Sequence, residues 1–156
     1  MSSAADFDFF IGNWSVMHRR LKSRLSNCGE WEQFFGTTET RKTLGGMGNC
    51  DDNHLELPDG HYYAMTLRTF DPAKKKWSIW WLDGRHPGSL DAPMVGEFID
   101  GIGTFYTKDT FNNIPIVVRF LWHVQSDGTP LWEQAFSSDE GVSWETNWTM
   151  EFTRAI

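Results

Sequence analysis

This sequence predicts an all-β fold, an up-and-down antiparallel barrel of about ten strands sealed at one end. Three observations carry the prediction. Short runs rich in Trp, Phe, Val, Ile and Thr recur between clusters of Gly, Asn, Asp and Pro, and no long segment keeps the apolar period of a helix. The clusters have the chemistry of strand reversals: Asp100-Gly101 and Asp127-Gly128 tolerate φ > 0, and Asn112-Asn113 does so as well. Finally, Gly12-Asn13-Trp14 at the start is answered by Met150-Glu151-Phe152-Thr153-Arg154 at the far end. Such a pair can plug a barrel, the indole filling its taper and the guanidinium lying across the ring, a cation–π contact of ~0.5–2 kcal/mol.

In chain order, residues 6–11 read as a short N-terminal helical lead-in, α or 3₁₀, whose Phe7 and Phe10 close the bottom of the barrel. Strands follow at 14–24, 32–44, a short third at 49–56, then 62–70, 77–83, 94–100, 103–111, 114–124, 131–137 and 144–154. Each strand of a meander reverses direction, so only an even number returns the chain to its starting end and sets Arg154 beside Trp14. Alternation agrees: Trp148, Met150, Phe152 and Arg154 share one face of the last strand, and Trp14 and Val16 one face of the first. The same parity puts loops 25–30, 57–61, 84–93, 112–113 and 138–143 at the open mouth. Loops 45–48, 71–76, 101–102 and 125–129 lie at the plugged end, with Leu44-Gly45-Gly46-Met47-Gly48 as a sharp corner there. Cys28 and Cys50 then sit at different levels, beyond the ~7 Å Cα separation a disulfide tolerates.

Three stretches carry a resemblance: Phe7-Asp8-Phe9-Phe10-Ile11-Gly12-Asn13-Trp14, Trp80-Trp81-Leu82-Asp83-Gly84-Arg85, and Trp132-Glu133-Gln134-Ala135-Phe136-Ser137. Together with the Trp14/Arg154 pair they resemble the lipocalin-like barrels of the calycin superfamily, and within it a bacterial branch with no assigned reaction. The resemblance spans nearly the whole chain. It implies a fold and a cavity and carries over neither an activity nor a cofactor. A second, local resemblance is to the Asp-box hairpin, in Ser137-Ser138-Asp139-Glu140-Gly141-Val142-Ser143-Trp144. It implies a turn in which the Asp accepts backbone N–H groups, Gly takes a left-handed conformation and Trp packs beneath. Sialidases repeat such boxes around a propeller; one copy here implies no glycosidase.

Composition bounds the partners. A chain of 156 residues fits one domain, long enough to bury about two thirds of its surface. Nine Trp and twelve Phe either line a cavity for a flat or apolar ligand or simply fill the barrel. A net charge of −7 argues against nucleic acid and anionic membranes, and Lys74-Lys75-Lys76 after Asp71-Pro72 reads as a solvated turn. The N-terminal residues lack the basic start and apolar stretch of a signal peptide, so the expected location is cytoplasmic. Two cysteines are too few for a disulfide framework and are expected as thiols. Asn13-Trp14-Ser15 and Asn147-Trp148-Thr149 match the glycosylation pattern only by chance, since both lie inside strands. A homodimer through an exposed barrel face is left open.

Candidate chemistry follows from parity. If Trp14 faces inward, so do His18 and Arg20, and two basic groups among rings are costly unless partnered. They would meet a ligand carboxylate, enolate or phenolate, with Trp81, Trp132 and Trp148 stacking on its body; alternatively Arg20 turns to solvent and His18 bonds a neighbouring strand. Loop 84–93 is long enough for a lid carrying Arg85 and His86, or for a Pro-stiffened surface loop with an Asp83–Arg85 or Asp91–Arg85 pair. Gln134, on the face of Trp132 and Phe136, either orients a ligand or is satisfied by the next strand. Tyr63 and Tyr106 are phenols of undetermined direction. Cys50-Asp51-Asp52-Asn53-His54 and His61 contain metal-ligand types without a metal-site spacing, so no metal is expected. Haem would need an inward histidine, for which His18 is the one candidate. No serine has a nucleophile-elbow context and Cys28 lies in a polar loop, so covalent catalysis is unsupported. The expected function is binding of a small hydrophobic or aromatic ligand, anionic in one version, without a cofactor. The alternatives are an isomerase or cyclase in which His18 moves a proton and Arg20 steadies negative charge, or an interaction domain whose own rings fill the lumen.

Overall fold

The computed structural model describes residues 1–156. Its ten strands are β1 (Gly12–Leu21), β2 (Trp31–Thr43), β3 (Gly48–Leu57), β4 (Gly60–Asp71), β5 (Lys76–Asp83), β6 (Met94–Ile99), β7 (Ile102–Phe111), β8 (Ile114–Val124), β9 (Pro130–Ser137) and β10 (Glu145–Arg154). Every strand pairs with its neighbours in sequence, and β1 closes the cylinder against β10, antiparallel throughout. Closure leaves no strand at a sheet edge, although residues 80–83 of β5 are unpaired along the β5/β6 seam. No helix is long and apolar enough to cross a membrane.

Turn chemistry explains the reversals. Asp100 and Gly101 have φ of 51° and 80°, and Asn112 and Asn113 of 50° and 64°, the left-handed pair that a tight hairpin requires. Gly128 is left-handed at 85°. The Asp-box residues also form the expected turn: Asp139 accepts from Ser143 N at 2.8 Å, Gly141 has φ of 90°, and the Trp144 ring lies beneath it. Hydrogen bonds from the Ser143 side chain and backbone hold the Asp139 carboxyl at about 2.

Three expectations are corrected. The N-terminal segment contains no α-helix; a single 3₁₀ turn, Asp8–Phe10, leads directly into β1. Three residues cannot carry the cost of nucleating an α-helix, whereas the three-residue spacing of Phe7 and Phe10 suits a 3₁₀ turn that points both rings the same way. β1 also stops at Leu21 instead of running to residue 24, because Leu25 and Asn27 take left-handed φ of 55° and 56° and turn the chain toward β2. The third strand is as long as the first, at 10 residues.

The sealed end is built as the opening pair implies. Trp14 and Arg154 are register partners, and the Arg154 guanidinium lies 4.0 Å from the indole centroid while donating to Ile11 O at 2.7 Å. Gly12, with φ of 133°, makes room for it: a Cβ there would overlap Arg154 Nη1. Trp14 Nε1 donates to Phe10 O at 2.9 Å, and Phe10 stacks on Trp14 and packs against Trp122 and Phe152 at 4.7 Å each. Phe7 meets Trp77 and Phe98 edge-on. The segment before it is tied down by Asp6, which accepts from Trp77 Nε1 at 3.0 Å.

The wall is uneven. Adjacent strands β1 and β2 pair over their whole lengths, but β5 and β6 share only Trp77↔Gly96, Ser78↔Val95 and Ile79↔Met94. Above Ile79, the remainder of β5 has no partner on that side.

Candidate functional site

Inside the cylinder lies a cavity of about 180 Å³. Phe10 and Phe152 form its base, and Trp81, Trp122, Trp132 and Trp148 wall it. Asp91 and Ala92 of the 84–93 loop, with Thr107 and Asp109 of β7, form its rim on the side where β5 and β6 part.

Two polar centres flank this space. The upper one is the pair that alternation picks out. His18 is 3% exposed, lies flat on Phe34 at 4.6 Å between centroids, and accepts from Trp148 Nε1 through Nδ1 at 3.2 Å. Gly36 on β2, the register partner of Val16, leaves room for the ring, since a Cβ there would stand 3.0 Å from His18 Nε2. Burial first, and the positive charge of Arg20 second, push the imidazole pKa down to about 3, so it is neutral when it accepts the indole proton. Arg20 is paired with Glu32 at 3.0 Å and lies against the Phe34 and Trp148 rings. Both groups are therefore engaged by protein, and neither lines the cavity.

The lower centre escaped sequence reasoning. Asp51 and Arg68, 2% and 3% exposed, form an ion pair at 2.8 Å. Arg68 Nη1 also donates to Asn49 Oδ1 at 2.8 Å. Asp51 Oδ1 accepts from Asn53 Nδ2 at 2.6 Å and from Thr66 N at 3.1 Å, and Asn53 Oδ1 accepts from Thr38 Oγ1 at 2.6 Å. The guanidinium is held 5.2–5.3 Å from the centroids of Phe7, Phe10 and Trp122. Asp51, Asn53, Thr66 and Arg68 line the cavity. In the fold, Asn49, Asp51 and Asn53 share the face of buried Leu55, and Thr66 and Arg68 that of buried Phe70.

The remaining candidates separate clearly. Trp81, Trp132, Trp148 and Gln134 come together on the cavity wall, with Trp148 edge-on to both other indoles. Gln134 Nε2 donates to Asn147 Oδ1 at 2.8 Å, the neighbouring-strand alternative, at the bulge where β10 slips register between Thr146 and Trp148. Arg85 chelates Asp83, its Nη2 2.7 Å from Oδ2, and stacks on Tyr62 at 3.6 Å; this is the internal pair of a surface loop. His86 is exposed, and Asp91 and Ala92, not Arg85 and His86, reach the cavity. Tyr106 points outward, 46% exposed and beside Trp144, because β7 turns Gly103, Phe105 and Thr107 to the opposite face. Tyr63 is outward too, stacked on His54.

No group of three or more His, Cys, Asp or Glu side chains converges in the way a metal ion requires. Cys28 and Cys50 are both free thiols. No protein-family model matches the chain, and no curated protein matches it. The architecture itself is a closed, ten-stranded, up-and-down antiparallel barrel with an aromatic lumen.

Proposed function

We propose that this barrel binds a small, flat, largely apolar molecule in its lumen. The observation that carries the reading is the unfilled space among the rings. A lumen packed by its own side chains would leave none, yet about 180 Å³ remains between Phe10 below and Trp148 above. An apolar cavity of ~150 Å³ holds benzene, so one ring with a short substituent is the size that fits. Ligands of ~8–10 non-hydrogen atoms, well under the ~1.5 kcal/mol per-atom ceiling, bind with dissociation constants on the order of 10–100 μM.

The anionic version of the ligand rests on His18 and Arg20. Since neither lines the cavity while Asp91 and Asp109 stand at its rim, a neutral ligand is the better fit. The isomerase or cyclase alternative needs His18 at the substrate, and His18 is instead taken up by Trp148. Two free thiols support a reducing compartment.

The test is calorimetric titration with benzene-series compounds, with expected saturable one-to-one binding and a negative heat-capacity change. Val118→Trp places an indole in the cavity and should abolish binding while the barrel stays folded by circular dichroism. Absence of saturable binding by any one-ring compound sinks the reading. Native mass spectrometry of freshly purified protein would show a retained ligand directly.

A further inference from the structure

A count of donors and acceptors at the cavity floor specifies the ligand further. Each carboxylate and amide oxygen of the lower centre already receives at least one donor. Asp51 Oδ1 receives two N–H groups and Oδ2 faces Arg68; Asn49 Oδ1 receives Arg68, and Asn53 Oδ1 receives Thr38. Donors remain. The hydrogen bond and the ion pair of Arg68 both use Nη1, so Nη2 has no protein acceptor, and Nε is buried with none. A guanidinium offers five N–H groups in a fixed fork and no acceptor, so an almost wholly buried one is poorly served by a single carboxylate and a single amide. Arg68 is one of the residues that line the cavity.

Resting on the reading of the lumen as a ligand site, we propose that Arg68 forms its polar subsite and takes a neutral hydrogen-bond acceptor, a carbonyl-type oxygen on a one-ring ligand. Nε is enclosed, which leaves Nη2 as the donor the oxygen approaches. Neutrality follows from charge. Asp51 already balances Arg68 at 2.8 Å, and an arriving anion would pass Asp91 and Asp109 and add a second negative charge beside Asp51. A hydrocarbon, in contrast, would cover the guanidinium and leave its N–H groups unpaired, which is the more costly outcome for a buried donor. The site then discriminates as pockets built to hydrogen-bond do, by penalising the ligand that lacks the oxygen.

Three probes of nearly one shape decide this: acetophenone, its isostere α-methylstyrene, in which a methylene replaces the oxygen, and benzoate. Each is titrated calorimetrically into the wild-type protein at pH 7. Acetophenone is expected to bind at least tenfold more tightly than α-methylstyrene, against the order of their hydrophobicities, and more tightly than benzoate. In the double variant Asp51→Asn/Arg68→Met, which removes both charges together, the tenfold preference is expected to vanish. Equal or tighter binding of α-methylstyrene, tightest binding of benzoate, or a preference that survives in the double variant overturns the proposal and leaves the lumen as an unspecific apolar site. Failure of all three probes to bind overturns both the subsite and the cavity reading. Should the double variant not fold, the wild-type ranking alone decides.

Discussion

The two polar centres inside this barrel start from similar material and end in opposite states. Above the cavity, His18 and Arg20 are each engaged by protein away from the lumen: the imidazole by an indole N–H and a phenyl face, the guanidinium by Glu32 and two rings. Below it, Arg68 is deeper and more enclosed, yet retains N–H groups without acceptors beside open space. The difference teaches that an inward basic residue is not by itself a binding residue. What matters is whether it lines the open space, and that is a property of the register between strands, here β1 with β2 and β10 above and β3 with β4 below.

The contrast can be broken from the lower side first. Arg68→Met leaves Asp51 charged and buried with no cation, and should cost about 3–5 kcal/mol in urea unfolding. Asp51→Asn/Arg68→Met should recover most of that. A single variant as stable as the parent would mean that the pair is not isolated from water. The ring bed beneath Arg68 matters about as much. Trp14→Ala removes the surface on which Phe10 stacks, and the void it leaves should cost about 3–5 kcal/mol.

The upper centre is sharpened by pH. His18→Phe keeps the flat stack on Phe34 but leaves Trp148 Nε1 without an acceptor, a loss of about 1–2 kcal/mol at pH 7. In the wild type the folded histidine titrates at about 3 and the unfolded one at its ordinary value of 6.5. Between these the unfolded state binds the extra proton, so stability is intact above pH 6.5 and falls as the pH drops, by about 1.4 kcal/mol per unit once the unfolded histidine is fully protonated. The deficit of His18→Phe should therefore shrink to nothing near pH 5 and reverse below it. A deficit independent of pH from 7 to 4.5 would show that His18 is not the neutral acceptor described. Arg154→Ala should be the mildest of the series, about 0.5–1 kcal/mol, because that cation is exposed at the rim. Thermal denaturation that places it level with Trp14→Ala would reverse their assigned roles in the plug.

Legibility in the sequence followed the same divide. Ten strands, their closure and the Trp14/Arg154 contact could be reasoned out because each depends on something local and countable: turn residues, period-two alternation and the parity of reversals. Three wall residues, Trp132, Gln134 and Trp148, also came from alternation along single strands, and Trp81 from its ring alone. The Asp51–Arg68 pair did not, and the reason is physical. On β4 both faces read as mixed, with Tyr62, Ala64, Thr66, Arg68 and Phe70 on one and Tyr63, Met65, Leu67 and Thr69 on the other, so composition does not say which is inside. On β3, Asp51 stands beside Asp52, and only the fold shows that one is enclosed and the other wet. Tyr106 illustrates the converse: an aromatic residue suits either surface of a strand.

The three-residue contact between β5 and β6 has a dynamic consequence for a cylinder that is otherwise laced along its length. Local opening begins where the fewest hydrogen bonds must break, so breathing of the wall is concentrated at Trp77, Ser78 and Ile79 and not distributed around the circumference. Amide protons along that line would exchange with solvent ahead of those in β2 and β3. The same unzipping would momentarily widen the passage beside Asp91, so the traffic of guests into the lumen would be timed by how often this one line of hydrogen bonds comes undone.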